Sequence, residues 1–364
     1  TPVDAIPDLS ENQVIIWTEW MGRSPQIIED QITYPLTTSL QGMAKVKAVR
    51  SQSMFGMSFI YVIFEDNADI YWARSRVLEK LSQVQSSLPE GVTPVIGPDG
   101  TGVGHVYWYH LMSDKYDLGE LRALQDYYLK LGLQSVEGVA EVASVGGFVK
   151  QYQIDIDPNR LSAYGIGIND IVMAVQRSNK DVGGRNIESS DIEYFVRGKG
   201  YINDVSDIEE ITLKTGQSGN PVKIRDIANV QIGGDIRRGM LDFNGEGEVV
   251  GGIIVMRYGE NANTVIERVK EKLKELEKGL PEGIEIMTSY DRSDLISKAI
   301  QTLRDAIIEE AIIVSLIVLV FLFHLRSALR ILIEIPVAIL ISFILMKQLG
   351  ITSNIMSLGG LIIS

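Results

Sequence analysis

Cysteine is absent from the 364-residue chain. That excludes a disulfide framework, a Cys-ligated zinc site and a thiol nucleophile. Histidine is scarce: His105, His110 and His324 are the whole set. His105 and His110 stand five apart on an expected strand, so they point to opposite faces and do not share a metal. Cations are outnumbered, 34 Lys+Arg against 47 Asp+Glu, for a net charge of −13. Nucleic-acid phosphates need clustered Lys and Arg, so no nucleic-acid partner is expected. No HExxH, P-loop or G-x-S-x-G pattern occurs, and no cofactor is expected. Gly100, Gly102 and Gly104 in GPDGTGVGH miss the dinucleotide fingerprint and read as a flexible connector. Asp155 and Asp157 read as a solvated strand face rather than a cation site. An initiator Met and a signal-peptide pattern are also missing. The chain opens at Thr1-Pro2 and stops at Ser364 inside an apolar run, which reads as a fragment.

What is present is divided unevenly. Residues 306–364 carry Arg326, Arg330 and Lys347 against Glu309, Glu310 and Glu334, so the whole net charge of −13 falls on residues 1–305. Residues 306–323 (AIIEEAIIVSLIVLVFLF) and 328–346 (ALRILIEIPVAILISFILM) are each long enough to cross a bilayer core as a helix of ~27 Å. A third apolar run begins at Asn354. The lipid bilayer is therefore an expected partner. The short connection 324–330 holds Arg326 and Arg330, and positive charge in a short loop marks the cytoplasmic side. Residues 1–305 then lie opposite, in the periplasm of a double-membrane bacterium. Arg330 and Glu334 are four apart on one helix face and read as an intramembrane charged pair. Pro336 is an expected kink.

Length suggests two or three domains. Strand and helix patterns in residues 12–96 follow the order β-α-β-β-α-β, a ferredoxin-like split motif, with a kink at Pro35. A second unit starts at 105–112, continues through a helix at 118–134, strands at 139–145 and 149–156 and helical residues to 179, and resumes at 249–289. Residues 180–247 read as an inserted subdomain. Val77, Leu81, Val84 and Leu88-Pro89-Glu90-Gly91 match Val269, Leu273, Leu276 and Leu280-Pro281-Glu282-Gly283 at a constant offset of 192, the sign of a duplicated unit.

With no thiolate in the chain, methionine is the soft ligand it can offer, and thioethers suit monovalent copper or silver. Met54 and Met57 flank Phe55-Gly56 near a strand start, and Met356 opens the third apolar run. Taken singly, a methionine is more often core filler.

The segments TPVDAIPDLS, YPLTTSLQG, VIFEDNADIYWARSRVLEKL, LPEGVTPVIGPDGTGVG, GVAEVASVGGFVKQYQIDIDPNRL, FNGEGEVVGG, SYDRSDLI and NIMSLGG occur in one order. In that order the chain resembles the heavy-metal efflux (CusA/CzcA-like) branch of the resistance–nodulation–division (RND) transporters. VIFEDNADIYWARSRVLE is closer to the copper/silver subgroup than to the zinc/cobalt/cadmium one. The resemblance implies an α+β periplasmic part of duplicated ferredoxin-like porter subdomains, plus transmembrane α-helices. Residues 10–98 would be the first porter subdomain and 104–178 with 248–292 the second. Residues 180–247 would be a docking-type insertion, with an extended hairpin around 190–225 against a neighbouring protomer. Residues 300–364 would hold two complete membrane helices and the start of a third.

The implied function is a proton-driven inner-membrane pump, a cation/proton antiporter rather than an enzyme. It would work as a homotrimer with a periplasmic adaptor and an outer-membrane channel. The exported cation would be Cu(I) or Ag(I). A divalent-metal pump, a multidrug pump and a non-transporting membrane-anchored remnant are the alternatives. Met356 in NIMSLGG matches a family position on a methionine route through the membrane, while the proton-relay aspartate and the main methionine cluster would lie outside residues 1–364. Glu334 stands where the family pattern has a small or apolar residue.

Overall fold

Strand β1 (Gln13–Glu19) buries Val14, Ile16 and Thr18 and turns Ile15 and Trp17 to the other face, the period of a half-buried strand. The computed structural model of the chain describes residues 4, 6–189, 192–215, 219–237, 239–322, 325–349, 353, 354, 356, 357, 359 and 360. After β1, Ser24 caps α1 (Pro25–Ile28), a π-helical turn covers Glu29–Thr33, and α2 (Tyr34–Gln41) follows. The widened turn just before Pro35 takes the place of the expected kink, because proline has no N–H to donate and its ring crowds the preceding turn. Ile28, Ile32, Leu36 and Leu40 form the fully buried stripe of this helix. Strands β2 (Val46–Met54) and β3 (Met57–Phe64), helix α3 (Ile70–Val84) and the short β4 (Val95–Ile96) complete the unit. The antiparallel order β2-β3-β1-β4 is that of the split βαβ motif.

The second unit opens with β5 (Gly100–Met112), α4 (Leu118–Leu124), another π turn at Gln125–Leu129, α5 (Lys130–Gln134) and β6 (Val139–Val145). The expected connector at Gly100–Gly104 is thus the start of a strand. A β-carbon on Gly100 would lie 2.7 Å from Val255 Cγ1, so close backbone approach, not flexibility, calls for glycine here.

Next come β7 (Lys150–Ile156), α6 (Pro158–Tyr164), α7 (Ile168–Ser178), β8 (Val182–Ser189), β9 (Ile192–Gly198), α8 (Val205–Glu209), β10 (Thr212–Thr215), β11 (Pro221–Lys223), α9 (Ile224–Ile227) and β12 (Ala228–Gly234). Strand β7 pairs with β12, not with the sheet of the second unit. Its Ile154 and Ile156 pack with Ile166, Ile171, Ile208 and Ile227 in a separate core. The strand expected at 149–156 therefore belongs by pairing with the residues that follow it. The stretch expected to hold an extended hairpin, 190–225, overlaps two antiparallel pairs, β8–β9 and β10–β11, of which β8–β9 is the longer.

The second unit resumes with β13 (Leu241–Asp242), β14 (Glu248–Arg257), α10 (Ala262–Glu277) and β15 (Glu285–Asp291). Its path β6-β14-β5-β15 repeats that of the first. At the offset of 192, Val77 and Val269 are both fully buried, and Leu81 and Leu273 are equally covered. A second offset, 93, relates the first halves: Ser24 and Asp117 are both N-caps, and Ile28, Ile32, Leu36 and Leu40 correspond to Leu121, Gln125, Leu129 and Leu133. The offset changes where the first unit has only the Phe55-Gly56 turn, and there the second unit carries residues 148–247.

Helix α11 (Arg292–Leu322) continues from β15, and α12 (Leu325–Gln348) follows with Pro336 inside it. The expected connection 324–330 is helical from Leu325 onward. Among the described residues, no helix is long and apolar enough to cross a membrane. The last 18 described residues of α11 include Asp305, Glu309 and Glu310, and the expected span 306–323 ends outside the description. His324 and most of the apolar run after Asn354 also lie outside it.

Candidate functional site

Met54 and Met57 face one another as the last pair of the β2–β3 ladder, on either side of Phe55 and Gly56. The preceding pair, Ser53 and Ser58, points the other way, to the helix side, where both hydroxyls meet Thr33 Oγ1 at 2.8 Å. The alternation of the strands therefore puts both methionines on the open face. Glu19 lies on that face too, opposite Met57 in the β1–β3 register. A third methionine joins them. Trp20 N–H donates to the Gly56 carbonyl at 2.8 Å, and Gly56 N–H donates to the Arg23 carbonyl at 2.9 Å. These two bonds lay the 20–23 turn across the hairpin tip. A β-carbon on Gly56 would lie 3.2 Å from Met21 Sδ, so the sulfur sits directly over the turn. Gly56 has φ +70°, the left-handed conformation such a turn requires of its second residue. Arg23 is drawn aside, its guanidinium 4.7 Å from the centre of the Trp20 ring.

Glu19, Met21 and Met57 border a cleft of about 450 Å³ whose opposite wall is built from Gly146–Val149 and Asp235–Ile236. Sequence reasoning named Met54 and Met57 but not Met21. Only the register of β1 against the hairpin brings it there, and the signal was its place two residues beyond the end of β1.

Met356 is exposed, and its N–H donates to Asn354 Oδ1 at 3.0 Å in a turn that Ser357 also closes. It is remote in sequence from the hairpin methionines, and nothing places it against them. Arg330 Nε donates to Glu334 Oε1 at 2.5 Å, so the two residues four apart on α12 do pair. His105 is exposed while His110 is fully buried on β5. Asp155 accepts from Gln231 Nε2 at 2.8 Å, and Asp157 caps α6 by accepting from Asn159 N–H at 2.9 Å, so each has a structural task. Among the described residues no group of three or more His, Asp or Glu converges to hold a metal. At the base of the second unit, burial works against the charge of Asp291, but hydrogen bonds from Lys270 and Ser293 outweigh it and hold the carboxyl below its usual range.

The two matching βαββαβ units, one carrying a long insertion, have clear counterparts. Residues 1–364 match the AcrB/AcrD/AcrF family. The chain belongs to that family. Over its full length it is 52% identical to the putative cation efflux system protein SilA of Salmonella typhimurium and to the cation efflux system protein CusA of Escherichia coli (strain K12). It is 38% identical over 99% of its length to the cobalt-zinc-cadmium resistance protein CzcA of Cupriavidus metallidurans. The crystal structure of a heavy metal efflux pump superposes with a TM-score of 0.89 at 33% identity, covering 98% of this chain and 36% of that one. Within the AcrB/AcrD/AcrF family the chain falls in the heavy-metal efflux branch of the RND transporters. It spans about a third of its relatives' length, 35% of SilA and CusA.

Proposed function

We propose that the chain is part of a proton-driven inner-membrane pump that exports monovalent soft cations, Cu(I) or Ag(I), as its substrates. The observation that carries the reading is the full-length identity of 52% to two cation efflux proteins, against 38% to a cobalt-zinc-cadmium resistance protein. The donor set agrees with it: 11 methionines, no cysteine and three histidines favour a soft cation over a divalent one.

In this reading residues 10–98 are the first porter subdomain, and 104–178 with 248–292 supply the second, subject to the strand pairing of β7 noted above. Residues 180–247 dock against a neighbouring protomer of a homotrimer, with Tyr194, Phe195 and Val196 on the exposed β8–β9 hairpin as the apolar contact. A periplasmic adaptor and an outer-membrane channel complete the export path. Helices α11 and α12 stand in the bilayer, with residues 1–305 in the periplasm. Ile312, Leu316 and Val320 on α11 and Ile333, Leu340 and Ile344 on α12 are all about half or more exposed, a pattern suited to lipid rather than water. Proton passage would bias the porter units between conformations and so drive alternating access.

The test is to express the full-length gene in a copper-sensitive host. Raised tolerance to both copper and silver is expected. Tolerance raised only to zinc, cobalt or cadmium would move the reading to a divalent-metal pump, and tolerance raised only to hydrophobic dyes to a multidrug pump. No change in any of these would favour a module that does not transport.

A further inference from the structure

We propose that Asp4 and Arg292 form a joint that passes displacement between the apolar run beginning at Asn354 and the sheet of the second unit. What the joint does in a working pump rests on the proposed function, whereas the joint itself rests on geometry.

The ladder of β15 on β5 ends at the pair Asp291–Tyr107, and α11 starts with the next residue. Strand β15 therefore stops short of His105 and Val103. The Arg292 guanidinium takes its place, with Nη2 donating to the His105 carbonyl at 2.9 Å and Nη1 to that of Val103 at 2.6 Å. One side chain thus carries on the edge of the sheet and gives covered carbonyls the partners they require. Asp291 fixes the same junction from the other side, through Lys270 on α10 and the Ser293 hydroxyl.

The same guanidinium reaches a second segment. Its Nη1 lies 3.3 Å from Asp4 Oδ2, and the Asp4 N–H donates to the Ser353 carbonyl at 2.9 Å. Ser353 and Asn354 are both buried. Asn354 Oδ1 accepts from the N–H groups of Met356 and Ser357, each at 3.0 Å, and Ser357 Oγ accepts from the Asn354 N–H at 2.8 Å. Ser353 is therefore continuous with the turn that opens the third apolar run. An unbroken series of bonds leads from that turn through Ser353, Asp4 and Arg292 into β5.

Stability alone does not account for the pair. Arg292 is 4% exposed, and a buried ion pair is a weak source of stability that well-packed apolar residues often match. What the guanidinium adds is direction, because its planar fork fixes where each partner sits. Along the backbone, the second unit reaches Ser353 only through the whole of α11 and α12. The joint is a short cut between segments that two long helices otherwise separate. Bonded networks of this kind carry coupling, and the coupling acts equally in both directions. In the proposed pump, movement of the run after Asn354 during proton passage would reach the second porter subdomain here.

Hydrogen exchange of the full-length protein in lipid nanodiscs, read by mass spectrometry, tests the joint. Asn354→Ala removes the side chain that closes the 354–357 turn. It should raise exchange of the amides of residues 101–106 on β5 by roughly fivefold or more, the low end of allosteric couplings. In an Asp4→Ala background, where the series is cut, Asn354→Ala should change those amides by no more than about twofold, the scatter of independent effects. An Asp4→Asn background, which loses only the charge, should fall between the two and serves if Asp4→Ala does not fold. Amides of β1 in the first unit should stay unchanged throughout and report that the fold is intact. Unmoved β5 amides in Asn354→Ala, or an equal rise with and without the Asp4 substitutions, would overturn the joint. The readout needs neither metal nor transport. Coupled exchange with no gain in copper or silver tolerance would sink the pump reading and leave the joint standing, and tolerance with uncoupled exchange would do the reverse.

Discussion

Lys45 and Gly138 occupy the same position in the two units, each in the left-handed region, with φ of 61° and 90°. Each follows the first helix of its unit and precedes the second strand. Their surroundings differ. A β-carbon on Gly138 would lie 2.6 Å from Val265 Cγ2, whereas Lys45 already carries one and reaches over the Trp72 ring, its Nζ 5.3 Å from the centre. Gly138→Ala should therefore destabilise the protein by about 1–3 kcal/mol, through backbone strain and crowding together. Lys45→Ala keeps the same backbone burden and loses only an exposed cation–π contact of about 0.5–1 kcal/mol. Denaturant midpoints of the two variants test this, and equal losses would contradict it.

The same pair shows how far the sequence was legible. The later half of the repeat could be read because its helix buries Val and Leu at matching positions and stops at the same Leu-Pro-Glu-Gly. The earlier half was hidden, since Ile32 is replaced by Gln125 and Lys45 by Gly138. Gln125 can be buried because its Oε1 accepts from the Tyr109 hydroxyl at 2.8 Å and its Nε2 donates to Ser144 Oγ at 3.3 Å, partners that periodicity does not reveal. Strand β7 was misplaced for a related reason. Its alternation announces a strand but not its neighbour, and the neighbour, β12, lies more than seventy residues further on. Met54 and Met57 were legible as a flanking pair, whereas Met21 needed the register of a third strand.

Arg292 ties the polar units to the first turn of α11. Its guanidinium donates to the carbonyls of Val103 at 2.6 Å and His105 at 2.9 Å and meets Asp4 at 3.3 Å, and the residue is almost wholly buried. Arg292→Met should cost about 3–5 kcal/mol, because it removes a buried guanidinium that serves two carbonyls and a carboxylate at once. Asp4→Asn keeps the carbonyl bonds and should cost about 1 kcal/mol. Thermal unfolding of both variants checks the order. A loss for Asp4→Asn as large as that for Arg292→Met would mean that the ion pair, not the carbonyl bonds, dominates.

His110 makes stability depend on pH. Its ring is fully buried, with Nδ1 2.7 Å from Ser289 Oγ and its centre 4.1 Å from that of Phe243. Burial lowers its pKa below the usual histidine value. The unfolded chain then binds the proton more readily than the folded one. The stability is fully present above about pH 6.5, the unfolded value, and falls as the pH drops from there toward the lower folded pKa. Unfolding midpoints at pH 7.5 and 5.5 should therefore differ more for the wild type than for His110→Phe, which has no proton to gain. Equal differences would remove His110 from the acid response.

The Arg330–Glu334 pair on α12 separates a structural from a dispensable role for intramembrane charge. In the bilayer placement proposed above, a lone charge near the middle of a helix costs about 2.5–3.5 kcal/mol of insertion free energy, less where a long side chain reaches the interface. Glu334→Leu leaves Arg330 unpaired but able to snorkel, and Arg330→Leu leaves a shorter carboxylate with less reach. Both single variants should lower the yield of membrane-inserted protein, Arg330→Leu more than Glu334→Leu. The Arg330→Leu/Glu334→Leu double variant should recover most of it, since no charge is then left without a partner. Membrane-fraction yields of the four proteins decide the matter. Recovery in the double variant marks a neutralised structural pair. Full yield with lost metal tolerance in Glu334→Leu would instead assign the carboxylate a part in transport.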